Sequence, residues 1–358
     1  MKYIMLKDVC DINMGQSPDS SSYNDEGDGL PFFQGNADFG ERYPVTRKWC
    51  SVPTKIAKPE DILISVRAPI GALNYAREKC CIGRGLAALT PDKSKVSPEF
   101  IFWLLKAKNI ELNSKGTGST FKAIGRNVLE ETQVPNVPLT VQLEYSQVLE
   151  RIYAIIQSRK MQLQKLDDLV KARFVELFGD PLIGSGRYPK VPLGGLTEVG
   201  SSKRIFEKEY VSEGVSFYRT KEIVELSKGN RITTELFITK ERYDEIRSEY
   251  GVPQKGDLLI SAVGTIGVIW IVDGKNDFYY KDGNLLRVSA TERFVPEYLK
   301  HLLEVLIGAY KSEMSSGTAY AALTISALKE MMVYDVPYAE QKQFATFVTQ
   351  TDKSKLIK

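Results

Sequence analysis

Apolar residues in this chain form short runs separated by long polar stretches, and the same order of runs occurs twice. Residues 62–66 and 258–263 are apolar runs of strand length, each with a single serine, which is typical of strands buried on both faces. A helix is predicted after each run, because Ser97 can cap a first turn that begins Pro-Glu, and Pro-Glu returns at residues 296–297. Each half therefore contains strands and helices around a core of its own.

The two halves are copies of one another. An opening strand predicted at residues 6–12 returns at 193–199, and the Gly/Ser/Thr loop at 118–121 returns at 317–320. Around the buried run, three side chains recur 196 residues later: Asp61, Ser65 and Gly71 return as Asp257, Ser261 and Gly267. A repeat of about 200 residues is far longer than the unit of a solenoid. It indicates two homologous domains, whose differences fall in the polar loops.

A different pattern separates the halves. Residues 139–178 contain no proline or glycine, and apolar side chains at seven-residue spacing predict a coiled-coil-like helix that needs a partner helix. The predicted seam consists of Leu149, Ile152, Ile156, Leu163, Leu166, Val170 and Leu177. At ~1.5 Å per residue such a helix is roughly 60 Å long. The alternative is a plain amphipathic helix that lies on the core of one domain.

These patterns predict an α+β fold with two similar domains, a long helix between them and a shortened helix at the carboxy terminus. The predicted bounds are 1–138 for the first domain, 139–180 for the spacer helix, 181–337 for the second domain and 338–358 for the shortened helix. We expect the shortened helix to leave Leu163, Val170 and Leu177 without their full partner. Docking would then be weaker, or a helix from another subunit would complete the pair.

Composition narrows the class of protein. The chain has 48 basic and 45 acidic residues, and its net charge of +3 neither requires nor excludes a polyanionic partner. Its four cysteines form no C-x-x-C pair, which argues against a disulfide framework or a zinc site. Neither a signal segment nor a membrane span is expected, so we predict a cytoplasmic protein. The single histidine, His301, supports no histidine-based triad or two-histidine metal site.

Motifs for catalysis are incomplete. Residues 335–338, Asp-Val-Pro-Tyr, resemble the loop with which amino-methyltransferases hold a flipped base, but the copy at 136–139 lacks the aromatic ring. Residues 116–120 lack the Gly-Lys-Ser/Thr of a phosphate-binding loop. The Glu340-x-Lys342 spacing has no Pro-Asp placed before it at the distance that a metal-dependent nuclease of this kind requires. We therefore predict a binding protein without a catalytic residue, metal or cofactor of its own.

Side chains suited to nucleic acid are concentrated in the divergent loops. Arginine pairs with guanine and Asn or Gln with adenine, whereas lysine mainly contacts phosphate. For any single residue the alternative is a solvated surface side chain, and Arg84, between two glycines, fits a turn support equally well. The candidates are Gln34, Asn36, Arg42, Tyr43, Lys48, Arg84 and Lys122 in the first half and Lys203, Arg204, Arg219, Lys221 and Arg231 in the second.

Taken in order, several segments resemble the DNA-specificity subunit of type I restriction-modification systems. The matching segments are 61–71, 82–87, 116–121, the helix opening at 138–142, and 166–180. The second half matches less closely, with Val-Gly-Thr at 263–265 where the first has Arg-Ala-Pro at 67–69. The carboxy-terminal helix is also about half the length of the central one.

The resemblance implies a non-catalytic subunit with two target recognition domains that read the halves of a bipartite, asymmetric site in double-stranded DNA. It implies docking of two modification (methyltransferase) subunits, which bind S-adenosylmethionine and methylate adenine. Restriction subunits, with ATP and Mg²⁺, would add translocation and cleavage. Alternatives are the specificity subunit of a Type IIB system, a coiled-coil scaffold that does not touch DNA, and a free-standing adenine methyltransferase.

Overall fold

The computed structural model describes residues 2–118, 122–184, 186–314 and 322–356. The repeated Gly/Ser/Thr loops lie partly outside these ranges, at residues 119–121 and 317–320. The chain divides into two compact units, residues 1–159 and 160–358. Each unit combines sheets with helices, and one 40-residue helix runs from the first unit into the second. The predicted fold class is confirmed.

The first unit is rich in short strands. These are β1 (Tyr3–Met5), β2 (Cys10–Met14), β3 (Tyr23–Asn24), β4 (Leu30–Phe33), β5 (Trp49–Cys50), β6 (Ile56–Ala57), β7 (Ile62–Ser65), β8 (Leu73–Tyr75), β9 (Cys80–Ile82), β10 (Leu86–Pro91) and β11 (Gln133–Pro135). Its helices are α1 (Pro98–Ala107), α2 (Asn109–Ser114), α3 (Arg126–Glu130) and the first half of α4 (Leu139–Phe178).

The second unit repeats this order with fewer strands and more helix. Its strands are β12 (Lys190–Pro192), β13 (Val199–Gly200), β14 (Val215–Tyr218), β15 (Phe237–Ile238), β16 (Leu258–Ser261), β17 (Ile269–Ile271), β18 (Phe278–Tyr280), β19 (Leu285–Val288) and β20 (Met332–Tyr334). Its helices, after the second half of α4, are α5 (Thr220–Ser227), α6 (Lys240–Glu249), α7 (Pro296–Met314), α8 (Ile325–Glu330) and α9 (Tyr338–Leu356).

Corresponding sheets occur in both units. The order β2-β10-β7-β8 in the first unit matches β13-β19-β16-β17 in the second, and the pair β1-β11 matches β12-β20. A further sheet has the order β3-β5-β4-β9-β6 in the first unit and β15-β14-β18 in the second. Within it, β4 runs parallel to β9 and β14 runs parallel to β18. The sequence repeat is therefore a repeat of topology.

Recurring polar side chains fix the buried strands of both copies. Asp61, 3% exposed, accepts a hydrogen bond from the Lys58 amide at 2.7 Å, and Asp257, also 3% exposed, accepts one from the Gln254 amide at 2.8 Å. The recurring serine at the end of each buried strand accepts a bond from a backbone amide seven residues later, at 2.9 Å in both copies. These residues recur because a buried polar group must keep its partners.

The predicted helix starts and buried strands are confirmed. Ser97 Oγ accepts a hydrogen bond from the Phe100 amide at 3.4 Å, as an N-cap does. The prediction of one opening strand at residues 6–12 is wrong. Residues Leu6–Asp8 form a 3₁₀ turn between β1 and β2, because the Leu6 amide bonds to the carbonyl of Thr132 at 2.9 Å. In the second unit residues Leu193–Gly195 form the matching turn.

Helices α5 and α6 occupy a stretch that the sequence predicts only as a polar loop. Each contributes a few apolar side chains to a core, notably Ile223 from α5 and Tyr243 and Ile246 from α6, all 0–2% exposed. Most other positions of α6 are charged or polar. The helices are stabilised by tertiary burial of single residues, which a periodicity test does not detect.

Candidate nucleic-acid interface

Two candidate residues of the first unit meet at one turn. Gln34 directly follows β4, and its side-chain Nε2 donates to Ser17 Oγ at 2.9 Å. The backbone amide of Arg84, in the turn between β9 and β10, donates to the same hydroxyl at 3.3 Å. The side chains of Gln34 and Arg84 are both exposed. Ser17 therefore joins the two loops from which these side chains extend.

The glycines beside Arg84 permit this close approach. A Cβ atom at Gly83 would lie 2.6 Å from Gln34 Oε1, and one at Gly85 would lie 2.5 Å from the Gln34 carbonyl oxygen. Since neither position has room for a side chain, the Gly-Arg-Gly sequence supports the turn. Among the described residues Arg84 has no ion pair, so its guanidinium is available to an external anion.

Two lysines pair through their backbone with the strands that lead into this turn. The backbone carbonyl of Lys48 accepts from the Phe32 amide, and that of Lys55 accepts from the Ile82 amide, both at 2.9 Å. Both lysine side chains are exposed. Exposed lysines contact phosphate and exposed amides read base edges, so these residue types suit a nucleic-acid surface.

Arginines in the corresponding loops of the second unit have internal partners. Arg219 Nη2 donates to Glu222 Oε1 at 3.1 Å, and this hydrogen bond to the carboxylate raises the pKa of Arg219. Arg204 Nε donates to Asp282 at 2.8 Å, which likewise raises the pKa of Arg204. The ammonium of Lys203 lies 4.7 Å from the ring centroid of Tyr250. These cations are held in place but remain partly exposed.

Arg42 is partly buried in the first unit, with its side chain 21% exposed. Its guanidinium pairs with Glu150 of α4 and lies 4.6 Å from the ring centroid of Phe102 and 4.9 Å from that of Tyr153. The Glu150 Oε1 atom also accepts from Trp103 Nε1 at 2.9 Å. The cation–π and charged contacts join the loop that holds Arg42 to α4, whereas a DNA contact of Arg42 stays a prediction.

The remaining candidates are placed as follows. Tyr43 is 42% exposed, and the guanidinium of Arg77 lies 4.8 Å from the centroid of the Tyr43 ring. Asn36 begins the turn after Gln34. Lys122 and Lys221 are exposed, and Arg231 is exposed on a cleft of ≈ 880 Å³ between β14 and the β17–β18 connection. Their contacts with DNA stay predictions.

Two of the cysteines are buried and the single histidine is partly buried, and all three side chains are uncharged. Burial raises the pKa of Cys10 and of Cys80 to about 12, so both thiols are protonated near neutral pH. Burial lowers the pKa of His301 to about 4, so its ring is neutral. His301 packs against Phe344, with ring centroids 5.4 Å apart. These groups contribute to packing.

The two halves of the predicted helix seam have different environments. In the second unit Val170 is 2% exposed and joins a core with Phe174 and Phe344 of α9, and Leu177 packs against it. The expectation that Val170 and Leu177 lack their full partner is therefore wrong. The reason is that α9 packs antiparallel along the second half of α4, so that Lys355 near its end pairs with Asp167 at 2.7 Å. Leu163 and Leu166 are partly exposed.

In the first unit the helix leaves an apolar face exposed. The exposed residues are Tyr145, Val148, Leu149, Ile152, Ile155 and Ile156, each 39–69% exposed. The sequence pattern identifies this face as apolar, but not which half of α4 is covered.

Sequence reasoning did not identify the side chains that anchor the candidates. Three candidates are anchored by side chains from a separate segment or a neighbouring turn: Gln34 by Ser17 and Asp38, Arg42 by Glu150, and Arg219 by Glu222. Two local sequence features indicate such anchors: the Gly-Arg-Gly turn, and a carboxylate four residues after Gln34 and three residues after Arg219.

Comparison with known proteins agrees with this architecture. The family model of the type I restriction modification DNA specificity domain matches residues 1–167 and again 187–358. The crystal structure of a type I restriction-modification S subunit from M. genitalium matches 99% of this chain and 90% of its own, with a TM-score of 0.56 and 15% identity, which is a likeness of fold. No helix in the described part of the chain is long and apolar enough to cross a membrane.

Two curated relatives share more sequence over shorter regions. A putative type I restriction enzyme MjaX specificity subunit from Methanocaldococcus jannaschii is 42% identical over 160 residues, which cover 45% of this chain and 38% of the relative. A putative specificity subunit from Haemophilus influenzae, S.HindORF215P, is 26% identical over 262 residues, covering 72% of this chain and 64% of the relative. The matches thus span less than two thirds of either relative. Because the family model covers both halves, the chain belongs to the type I restriction modification DNA specificity domain family.

Proposed function

We propose that this chain is the DNA sequence-specificity subunit of a type I restriction-modification complex. The observation that carries the proposal is the double match to the specificity domain, on two units with the same sheet order but different exposed loop residues. Shared cores with different loops suit two readers of different sequence. Each unit contacts one half of a bipartite, asymmetric site in double-stranded DNA.

The length of α4 supports a bipartite site. Its 40 residues make a helix of roughly 60 Å at ~1.5 Å per residue, longer than the ~34 Å of one DNA turn. Two weak readers on one chain also gain affinity, because binding of the first raises the effective concentration of the second.

The chemical steps belong to partner subunits. S-adenosylmethionine and adenine methylation are assigned to the modification subunits, and ATP with Mg²⁺ to the restriction subunits. In this proposal the protonated thiols and the neutral histidine of this chain contribute to packing.

The exposed apolar face of α4 suits docking of a modification subunit. Ile155, 69% exposed, lies in the middle of this face. A lysine at Ile155 places a charge where an apolar partner would pack, so we expect the chain to lose co-purification with the modification subunit. Val175→Lys, at a 46% exposed position in the second half of α4, is the matched control. Equal co-purification of both variants would contradict this docking site.

Methylome sequencing tests the function directly. A host that expresses this chain with its modification partner should gain a bipartite methylated motif, which disappears when the chain is removed. Exchange of residues 1–138 with those of a relative should change one half of the motif only. DNA binding should also weaken steeply with salt, because phosphate contacts release counterions. If no methylated motif depends on this chain, the proposal is wrong.

A further inference from the structure

Gln34 and Arg219 occupy the same position in the two units. In the first unit β4 pairs in parallel with β9, with Phe33 opposite Ile82, and in the second β14 pairs in parallel with β18, with Tyr218 opposite Tyr280. The amide that follows β9 donates to the carbonyl of Phe33 at 2.8 Å, and the amide that follows β18 donates to the carbonyl of Tyr218 at 2.9 Å. The residue that follows β4 is Gln34, and the residue that follows β14 is Arg219.

The backbone at both positions is anchored in the same way. The backbone N–H of Gln34 donates to Asp38 Oδ2 at 2.7 Å, and the backbone N–H of Arg219 donates to Glu222 Oε2 at 2.8 Å. Each carboxylate lies in the helical turn that follows. Because strand and carboxylate fix the backbone, the side chain can change between the units without a change of fold.

Both side chains keep hydrogen-bonding groups for a ligand. The side-chain Nε2 of Gln34 donates one N–H to Ser17 Oγ at 2.9 Å, and Gln34 Oε1 accepts from the same hydroxyl at 3.2 Å, so one N–H and one lone pair of Oε1 remain for a ligand. Arg219 binds Glu222 through Nη2 and its side chain is 38% exposed, so among the described residues the N–H groups of Nη1 and the second N–H of Nη2 remain for a ligand, whereas Nε is buried. A guanidinium held by one carboxylate still presents N–H groups in a fixed fork.

We propose that Gln34 and Arg219 are corresponding specificity-determining residues, which read different bases at the equivalent position of the two half-sites. A glutamine amide pairs with adenine through N6 and N7, and an arginine fork pairs with guanine through O6 and N7. The first unit therefore reads adenine where the second unit reads guanine. The inference rests on the proposed DNA-specificity function and adds the residues and bases.

Selection from a randomised duplex DNA library tests it, with the chain assembled with its modification subunit. The wild type should select adenine at one position of one half-site and guanine at the corresponding position of the other. Gln34→Arg should shift the first preference from adenine to guanine, and Arg219→Gln should do the reverse. Each loss of preference should be roughly 5- to 150-fold, the value of one bidentate pair. In both variants the other half-site stays unchanged.

Controls separate readout from charge and from folding. Gln350→Arg adds the same charge at an exposed position of α9 and should leave every base preference unchanged. Gln34→Ala removes an exposed amide and should relax the adenine position without a new preference. Arg219→Lys keeps the charge but loses the fork, so it should relax the guanine position.

Two outcomes overturn the inference. If the wild type selects a bipartite sequence but Gln34→Arg and Arg219→Gln leave each position within about twofold, or alter both half-sites alike, these residues do not determine specificity, and the proposed function stands. If the wild type selects no sequence at all, the proposed function fails together with the inference.

Discussion

Replacement of Gln341 by leucine tests how α9 is fixed to the second unit. Gln341 is fully buried, at 0% exposure. Its Oε1 accepts from the Val295 amide at 2.9 Å, and its Nε2 donates to the carbonyls of Arg293 at 3.0 Å and Val336 at 2.8 Å. Leucine has a similar size but offers no hydrogen bond, so the substitution leaves three backbone groups without this partner.

The surroundings of these groups set the size of the effect. Val295 and Val336 are 7% and 3% exposed, so their freed backbone groups cannot reach water easily, whereas Arg293 is exposed. An unpaired buried group costs roughly 1–3 kcal/mol, and burial of the leucine side chain offsets part of this cost. We therefore expect Gln341→Leu to lower the free energy of unfolding of the second unit by about 2–4 kcal/mol.

Gln142 is the matched position in the first unit. Its Oε1 accepts from the Ser97 amide at 3.0 Å, and its Nε2 donates to the carbonyls of Val137 at 2.9 Å and Lys95 at 3.3 Å. Of these three residues only Ser97 is buried. Gln142→Leu should therefore cost less, about 1–2 kcal/mol.

Equilibrium urea unfolding of the full chain measures both effects, and hydrogen exchange of peptides around the freed groups assigns each to its unit. Gln343→Leu, at an exposed position of the same helix, is the control and should change stability by less than about 0.5 kcal/mol. If Gln341→Leu lowers the free energy of unfolding no more than this control, or less than Gln142→Leu does, the buried hydrogen bonds of Gln341 do not stabilise the second unit as expected.

Three further predictions concern packing, pH and the contact between the first unit and α4. Phe178→Ala removes a ring at 0% exposure whose centroid is 5.0 Å from those of Phe174 and Tyr298, and it should cost about 3–5 kcal/mol in urea unfolding; a loss below 1 kcal/mol, as for an exposed ring, would contradict this packing. Because burial lowers the pKa of His301 from 6.5 to about 4, the unfolded chain takes up the proton first, and stability should fall as pH falls from 6.5 towards 4. Urea unfolding at several pH values should show a weaker pH dependence of stability for His301→Gln between pH 6.5 and 4. Some pH dependence should remain, because charged neighbours contribute in the same range; these neighbours are Lys300, Glu304, Asp167, Asp352 and Lys355. Glu150→Gln weakens the pair with Arg42 and should cost about 1 kcal/mol, since Glu150 is 34% exposed, without a change in the DNA sequence selected; a changed sequence would assign Arg42 to base readout.

Elements defined by local interactions were predictable. Helix α4 follows from 40 residues without proline or glycine, and the start of α1 follows from the hydroxyl of Ser97, because helix hydrogen bonds and caps join residues only three or four apart. The repeat itself predicted two similar domains. It could not separate β1 from β2, since the turn between them depends on the carbonyl of Thr132, far along the chain.

The candidate interface was predictable only as a set of residue types. Arginines in polar loops have the same propensities whether they face DNA or another side chain. Arg42 is directed to Glu150, 108 residues away, and Arg219 to Glu222, three residues away. Only the folded chain shows which partner each guanidinium has.

Two homologous α+β domains, a long helix and loops that differ between the copies follow from the amino-acid sequence, because the spacing of apolar residues and the backbone preferences of glycine and proline act over a few residues. Contacts in the folded chain are needed to show that α9 covers the second half of α4, and that Gln34 and Arg219 hold one equivalent position. Both outcomes depend on contacts between distant segments, namely antiparallel helix packing and the parallel pairing of β4 with β9 and of β14 with β18. The helix and strand propensities of single residues do not specify such contacts, because the contacts are stabilised by surface that both segments bury together.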